Sequence, residues 1–185
     1  MQTAALGNNE SHPMTELNKY LEKHFLNEVQ LANASAMHID ELDALIHDRL
    51  VPAPSYVVTS AGNVCSFVFG EMSAPGSKPG RYFPPSQLAW IDRARRAIAA
   101  GAMADIEASL KTQFTVNFAT ALATLNLSTW RLRDSFGDDG APIHAGLRVR
   151  TDAAWEYFLN GTFGLCVAYP ISEAHIARAS VSGAT

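Results

Sequence analysis

VQLANASAMHIDELDALIHDRLVPAPSY, residues 29–56, decides how the chain is read. Asn27 is placed to cap a short helix in which Val29, Leu31 and Ala32 form an apolar patch, and the small residues Ser35 and Ala36 turn the chain. A second helix is expected from about Ile39 to Asp48. Its Ile39, Leu42, Leu45 and Ile46 recur at helical spacing and leave Asp40, Glu41, Asp43 and His47 on the outer surface. Pro52 then ends it, because a proline disfavours helical geometry in the residue before it. Two short helices joined by a tight turn make a helix-turn-helix. YVVT and VCSFVF, separated by SAGN, read as a β-hairpin, which in this position is a wing.

The charge of that unit is wrong for a phosphate backbone. Its second helix holds Asp40, Glu41, Asp43 and Asp48 with no Lys or Arg, and residues 27–56 balance to -4. Residues 1–70 carry 3 Lys/Arg against 8 Asp/Glu, whereas residues 71–185 carry 11 against 10. Nucleic-acid affinity depends on cations that neutralise phosphates, and Asp and Glu are repelled by them. Nucleic acid is therefore not an expected partner. The acidic face, Asp40, Glu41, Asp43 and His47, is expected to meet a protein instead.

Working outward, residues 1–13 are polar and lack periodicity, and read as a flexible leader. MTELNKYLEKHF, with Thr15 as N-cap, opens a module spanning residues 14–70. The Gly/Pro/Ser-rich stretch 71–85 reads as a linker or an ordered loop. Residues 86–185 read as an α-helical domain: SQLAWIDRARRAIAAG capped by Ser86, a longer helix with Ile106, Leu110, Phe114, Phe118 and Leu122 at intervals of four, VRTDAAWEYFLNG ending at Gly161, and SEAHIARAS capped by Ser172. The fold class expected is mainly α: an N-terminal winged helix-turn-helix with a short hairpin, followed by helices.

A chain of 185 residues that is 48% hydrophobic can bury a core. It has no apolar run long enough to span a bilayer and no signal-type N-terminus, so no membrane association is expected and a cytoplasmic location is the default. Cys65 and Cys166 form no CxxC pair, and two buried reduced thiols are expected.

The segment LANASAMHIDELDALIHDRLVPAP resembles the N-terminal winged helix-turn-helix of mercury-resistance-regulator (MerR) type proteins. It has a Leu-Ala pair, a small-residue turn, an apolar helix and a hydrophobic-proline exit. Ala36-Met37 stands where that superfamily has Gly followed by Val or Ile, and the basic residues of its second helix and wing are missing. Over residues 15–178, RLVPAPSYVV, FGEMSAPGSKPGRYFPP, STWRLRDSFGDDGAP and WEYFLNGTFGLCVAYPISEAHIA resemble domain of unknown function family 6058, uncharacterised natural product biosynthesis proteins. That resemblance implies a pathway context and transfers no catalytic residue.

The residues that bear chemistry are sparse. No HExxH, HxH, phosphate-loop, GxGxxG or GxSxG pattern occurs, so no metal site and no cofactor is expected. His144, Cys166 and His175 lie near one helical segment in sequence and are the candidates for a thiol-imidazole site. The irregular loop TWRLRDSFGDDGAP offers Trp130, Arg131, Arg133, Asp134 and Asp138 as candidate ligand contacts, since binding residues favour loops on rigid scaffolds. GTFGLC, residues 161–166, is expected to serve close helix packing. Arg93, Arg95 and Arg96 form a basic cluster on which the acidic module can dock, within the chain or on another subunit. These readings favour an accessory protein of natural product biosynthesis that uses its module for protein interaction or self-association. A DNA-binding regulator and a small enzyme or ligand binder are the alternatives.

Overall fold

The computed structural model describes residues 15–101, 106–128, 131–167 and 170–182. Helix α1 (Glu16–His24) starts where Thr15 Oγ1 accepts the Asn18 N–H at 3.2 Å. After strand β1 (Leu26–Asn27), Asn27 opens α2 (Glu28–Ala34) with a capping box: it accepts the Gln30 N–H while the Gln30 side chain accepts its own. Helix α3 (Ile39–His47) follows. Strands β2 (Tyr56–Val58), β3 (Asn63–Ser66), β4 (Gly70–Ser73) and β5 (Gly80–Phe83) lead to helices α4 (Gln87–Ala99), α5 (Ile106–Ser128), α6 (His144–Leu159), α7 (Phe163–Cys166) and α8 (Glu173–Ser182).

The sheet overturns the winged helix-turn-helix. In place of a short hairpin, the described residues hold a five-stranded antiparallel sheet in the order β1-β5-β2-β3-β4. YVVT and VCSFVF do pair, with Val57 opposite Cys65, but they form the middle of this sheet. Its other members come from segments with little apolar alternation: β1 lies between two helices, and β4 and β5 fall largely within the Gly/Pro-rich stretch 71–85. Glycines supply the turns there, with Gly70 at φ 68° and Gly76 at φ 76°. Asn18 then pins the loop to α1, donating to the Gly76 carbonyl at 3.1 Å and accepting the Lys78 N–H at 2.8 Å. The composition of a linker is thus the composition of tight turns between short strands.

The sheet has two differently used faces. Tyr56, Val58, Val64 and Tyr82 meet Leu21 and Phe25 of α1 in one apolar cluster. On the opposite face, Phe83 joins Leu31, Leu42 and Leu45 of α2 and α3 in a larger core shared with Trp90, Phe114, Phe118, Trp155, Phe158 and Ile176. The α2–α3 pair therefore buries its apolar side in the same core as the C-terminal helices.

Both short helices close with Schellman bonds on residues that are not glycine. Met37 N–H reaches the Ala32 carbonyl and Ala36 N–H that of Asn33, with Ala36 at φ 50°; Leu50 and Arg49 repeat the pattern on Leu45 and Ile46, with Arg49 at φ 59°. Such left-handed residues cost roughly 1–2 kcal/mol. Cations accompany each turn. Arg95 donates to the carbonyls of Ser35 and Ala36 and pairs with Glu41, Arg81 pairs with both Glu28 and Asp43, and Arg49 bridges Glu107 and Glu156. Arg81→Ala leaves two partly exposed carboxylates without their shared counter-ion, and is expected to cost about 1 kcal/mol in urea unfolding. A loss indistinguishable from zero would show that the clamp is ornamental.

Candidate functional site

Helix α1 covers only part of its sheet face. Met72 lies opposite Val64 and so shares that face, but no helix among the described residues lies over it, and 51% of it remains accessible. The result is an apolar groove of about 420 Å³, floored by Val64 and Met72 and walled by Leu17 and Tyr20 on one side and by Phe69 and Pro75 on the other. The β3–β4 turn beside it exposes Phe67, Val68 and Phe69 in succession. Phe69 lines the groove with Met72, whereas Phe67 lines a separate cleft with Ile46, Arg49 and Leu159; exposed apolar side chains of this size mark an interaction surface more than a solvated loop.

Among the described residues strand β4 is also an open edge, paired with β3 alone. Ala74 N–H bonds the Gly62 carbonyl and Thr59 N–H bonds the Asn63 carbonyl, which sets the phase of the ladder. Met72 and Gly70 therefore direct their backbone groups to β3, while those of Glu71 and Ser73 point outward. Glu71, the one formal charge of β4, accepts a hydrogen bond from Asn63 Nδ2 at 2.6 Å.

The groove's polar lining consists of hydroxyls. Burial pushes the Tyr56 phenol up to about 12, with Tyr20 adding to the shift and Cys166 contributing least. Tyr56 ionises near 10.0 when unperturbed, so folding disfavours its phenolate; the associated stability is intact below pH 10 and is lost as pH rises toward 12. In an absorbance titration Tyr56→Phe is expected to remove a component titrating near 12, and loss of a component near 10 instead would contradict the assigned burial.

The residues singled out from sequence lie elsewhere. His144 begins α6, Cys166 ends α7 and His175 sits on α8, all exposed, and none lines the groove or the cavities described here. His175 Nδ1 shares a 2.7 Å hydrogen bond with Ser172 Oγ. Neither thiol is buried as expected, Cys65 being half-buried and Cys166 exposed. Trp130 lies outside the described residues. Arg131, Arg133 and Asp138 are exposed. Asp134 pairs with Arg150, whose hydrogen bond and charge outweigh a burial effect of opposite sign and hold the Asp134 carboxyl below its ordinary range. Of the acidic face, Glu41 and Asp43 are engaged by Arg95 and Arg81, while Asp40 and His47 stay exposed. Of the cluster Arg93, Arg95 and Arg96, Arg95 meets the acidic module, at Glu41, whereas Arg93 pairs with Glu173 and Arg96 with Asp92.

GTFGLC packs as its glycines suggest. A Cβ on Gly164 would lie 2.1 Å from Ser55 Oγ, and one on Gly161 would lie 2.6 Å from the Ala53 carbonyl oxygen. Beneath this contact Ser86 Oγ and Gln87 Oε1 have no protein partner and belong to residues lining a cavity of about 10 Å³, room for one water molecule and no substrate. Between α4 and α5 a wider groove of about 990 Å³ carries Arg93 and Arg96, but Glu173 and Asp92 already pair with them. No group of three or more His, Cys, Asp or Glu among the described residues is placed to hold a metal ion, and no helix among them is long and apolar enough to cross a membrane. The groove itself escaped sequence reading; the signal available was FVF followed three residues on by Met72, in a stretch whose neighbours are turns.

The architecture is that of an α+β protein whose antiparallel sheet is packed by helices and left open at one apolar edge. Residues 110–184, most of α5 through to the C-terminal region, match a family of unknown function, DUF6058. The match covers less than half of the chain and leaves the groove, which lies within residues 15–77, outside it. No curated protein and no solved structure matches the chain.

Proposed function

We propose that this chain is an accessory factor that acts by binding another protein, and that the contact is made by the apolar groove and the β3–β4 turn. Exposed Phe69 and Met72 in the groove, with Phe67 and Val68 exposed beside them on the turn, carry this reading, because such apolar surface costs solubility unless it is covered. The groove is lined by apolar side chains and hydroxyls, which suits recognition of an apolar segment better than catalysis. Resemblance to natural product biosynthesis proteins makes a pathway enzyme or carrier the partner class. DNA binding is disfavoured by a face of acids whose nearest arginines are already neutralised.

A photo-crosslinking side chain placed at Phe69 in native cells, compared with one at Asp40, tests the reading when followed by reconstitution with the purified adduct partner. Adducts are expected from Phe69, and Phe69→Lys or Met72→Lys is expected to weaken the reconstituted complex by roughly 10-fold or more. Adducts from Asp40 alone, a duplex-DNA complex at physiological salt, or a metabolite retained in native mass spectrometry would each replace this reading with a rival.

A further inference from the structure

We infer that the open β4 edge pairs with β4 of a second copy of this chain, antiparallel about a twofold axis through Met72, so that the two apolar grooves merge into one. The inference deepens the proposed function by naming the first occupant of this surface and the form in which it meets a partner.

The ladder phase selects the register. Glu71 and Ser73 offer their outward backbone groups, so a paired strand must place hydrogen-bonding residues opposite both. With Met72 on the axis, Glu71 of each copy faces Ser73 of the other and the two exchange both backbone bonds. Gly70 then faces Ala74 and Phe69 faces Pro75, small against small and apolar against apolar. Placing Glu71 on the axis sets like charges directly opposite, which is destabilising. Placing Ser73 there sets Glu71 against Pro75, which has no N–H to donate. Intermediate registers put outward groups against inward ones and make no ladder. Of the registers centred on Glu71, Met72 or Ser73, the Met72 register alone satisfies both the hydrogen bonds and the charge; one centred on Gly70 sets Glu71 against Phe69, whose N–H is already bonded to Ser66 Oγ.

The same register fits the side chains. Met72 and its symmetry mate form a non-hydrogen-bonded pair, the geometry in which opposed side chains approach most closely, with Cα atoms about 4.5 Å apart. Residues directly opposite point to the same face, so both grooves open on one side of a continuous sheet, with the two α1 helices as outer walls. Edges left exposed in natural sheets are usually guarded by charge, Pro, a bulge or a very short strand, and β4, four residues long with Pro75 just beyond its end, has the Pro and the short length in part. Here Glu71 is the only charge on β4, and it is drawn sideways to Asn63.

Sedimentation equilibrium of the purified full chain is expected to give twice the 20.0 kDa chain mass. Ser73→Pro, which removes an outward donor and no internal bond, is expected to give a monomer with an unchanged far-ultraviolet spectrum. In a Cys65→Ser, Cys166→Ser background, Met72→Cys is expected to oxidise to a covalent dimer, since a pair about 4.5 Å apart accepts a disulfide; Ser60→Cys, on the distant β2–β3 turn, is not. A wild-type monomer at the limit of solubility overturns the inference, as does a dimer that survives Ser73→Pro in the folded protein, or a Met72→Cys chain that links no better than Ser60→Cys. If Ser73→Pro does not fold, the cross-link decides alone. Because no other protein enters these measurements, a monomer that still cross-links a partner from Phe69 would sink the dimer and leave the proposed function standing, and a dimer without partner adducts would do the reverse.

Discussion

Phe114→Ala is expected to cost the protein roughly 3–5 kcal/mol, read as a lower urea midpoint and as a melting temperature lower by about 8–15 °C. Phe114 is 1% exposed and sits at the centre of an aromatic group, stacked on Phe118 with centroids 5.7 Å apart and in contact with Trp155 at 5.3 Å and Phe158 at 5.2 Å. Removing its ring leaves a void that three rings of fixed orientation cannot close. Because Leu31 and Leu42 share that core, the signal from α2 and α3 should melt together with that from the C-terminal helices. A loss below about 1 kcal/mol, or a separate early transition of α2–α3, would mean that the core is divided.

Gly161→Ala is expected to cost about 2–5 kcal/mol, for two reasons that can be separated. Gly161 closes α6 in a Schellman motif, its N–H on the Phe158 carbonyl and that of Thr162 on Tyr157, and has φ 79°. Any Cβ there pays for left-handed backbone. It would also lie 2.6 Å from the Ala53 carbonyl oxygen and 2.9 Å from that of Pro54, and neither backbone atom can step aside. Ser55 Oγ donates to the Gly161 carbonyl at 3.0 Å, so the same contact ties the chain entering β2 to the end of α6. Gly101, at φ 69° with open space where its Cβ would be, is the control. Gly101→Ala should show the backbone strain alone, about 1 kcal/mol, and equal losses at the two sites would remove the packing role assigned to GTFGLC.

Much of the helical content was legible because apolar spacing is a local property. The stripe Leu110, Phe114, Phe118 and Leu122 is buried as its four-residue interval requires, and Thr15, Asn27 and Gly161 act at the helix ends where their chemistry places them. Charge was legible in sign but not in use. Residues 27–56 are acidic enough to argue against DNA, yet only the fold shows that Arg81 and Arg95 turn Asp43 and Glu41 into internal contacts. His144, Cys166 and His175 were drawn together by sequence proximity, and the helices that carry them leave all three exposed.

The amino-acid sequence alone determined where most of the helices form and stop, and that the first third of the chain is net acidic, since propensity, capping and net charge depend on residues and their near neighbours; Ser86, expected as a cap, makes no capping bond. Tertiary structure alone decided that a two-residue strand and a glycine-rich stretch complete a five-stranded sheet, and that Met72 is left uncovered at its edge. Strand pairing joins residues distant in the chain through backbone groups that every sequence possesses, so its partners are chosen by packing on α1 and the core and leave little trace in side-chain pattern.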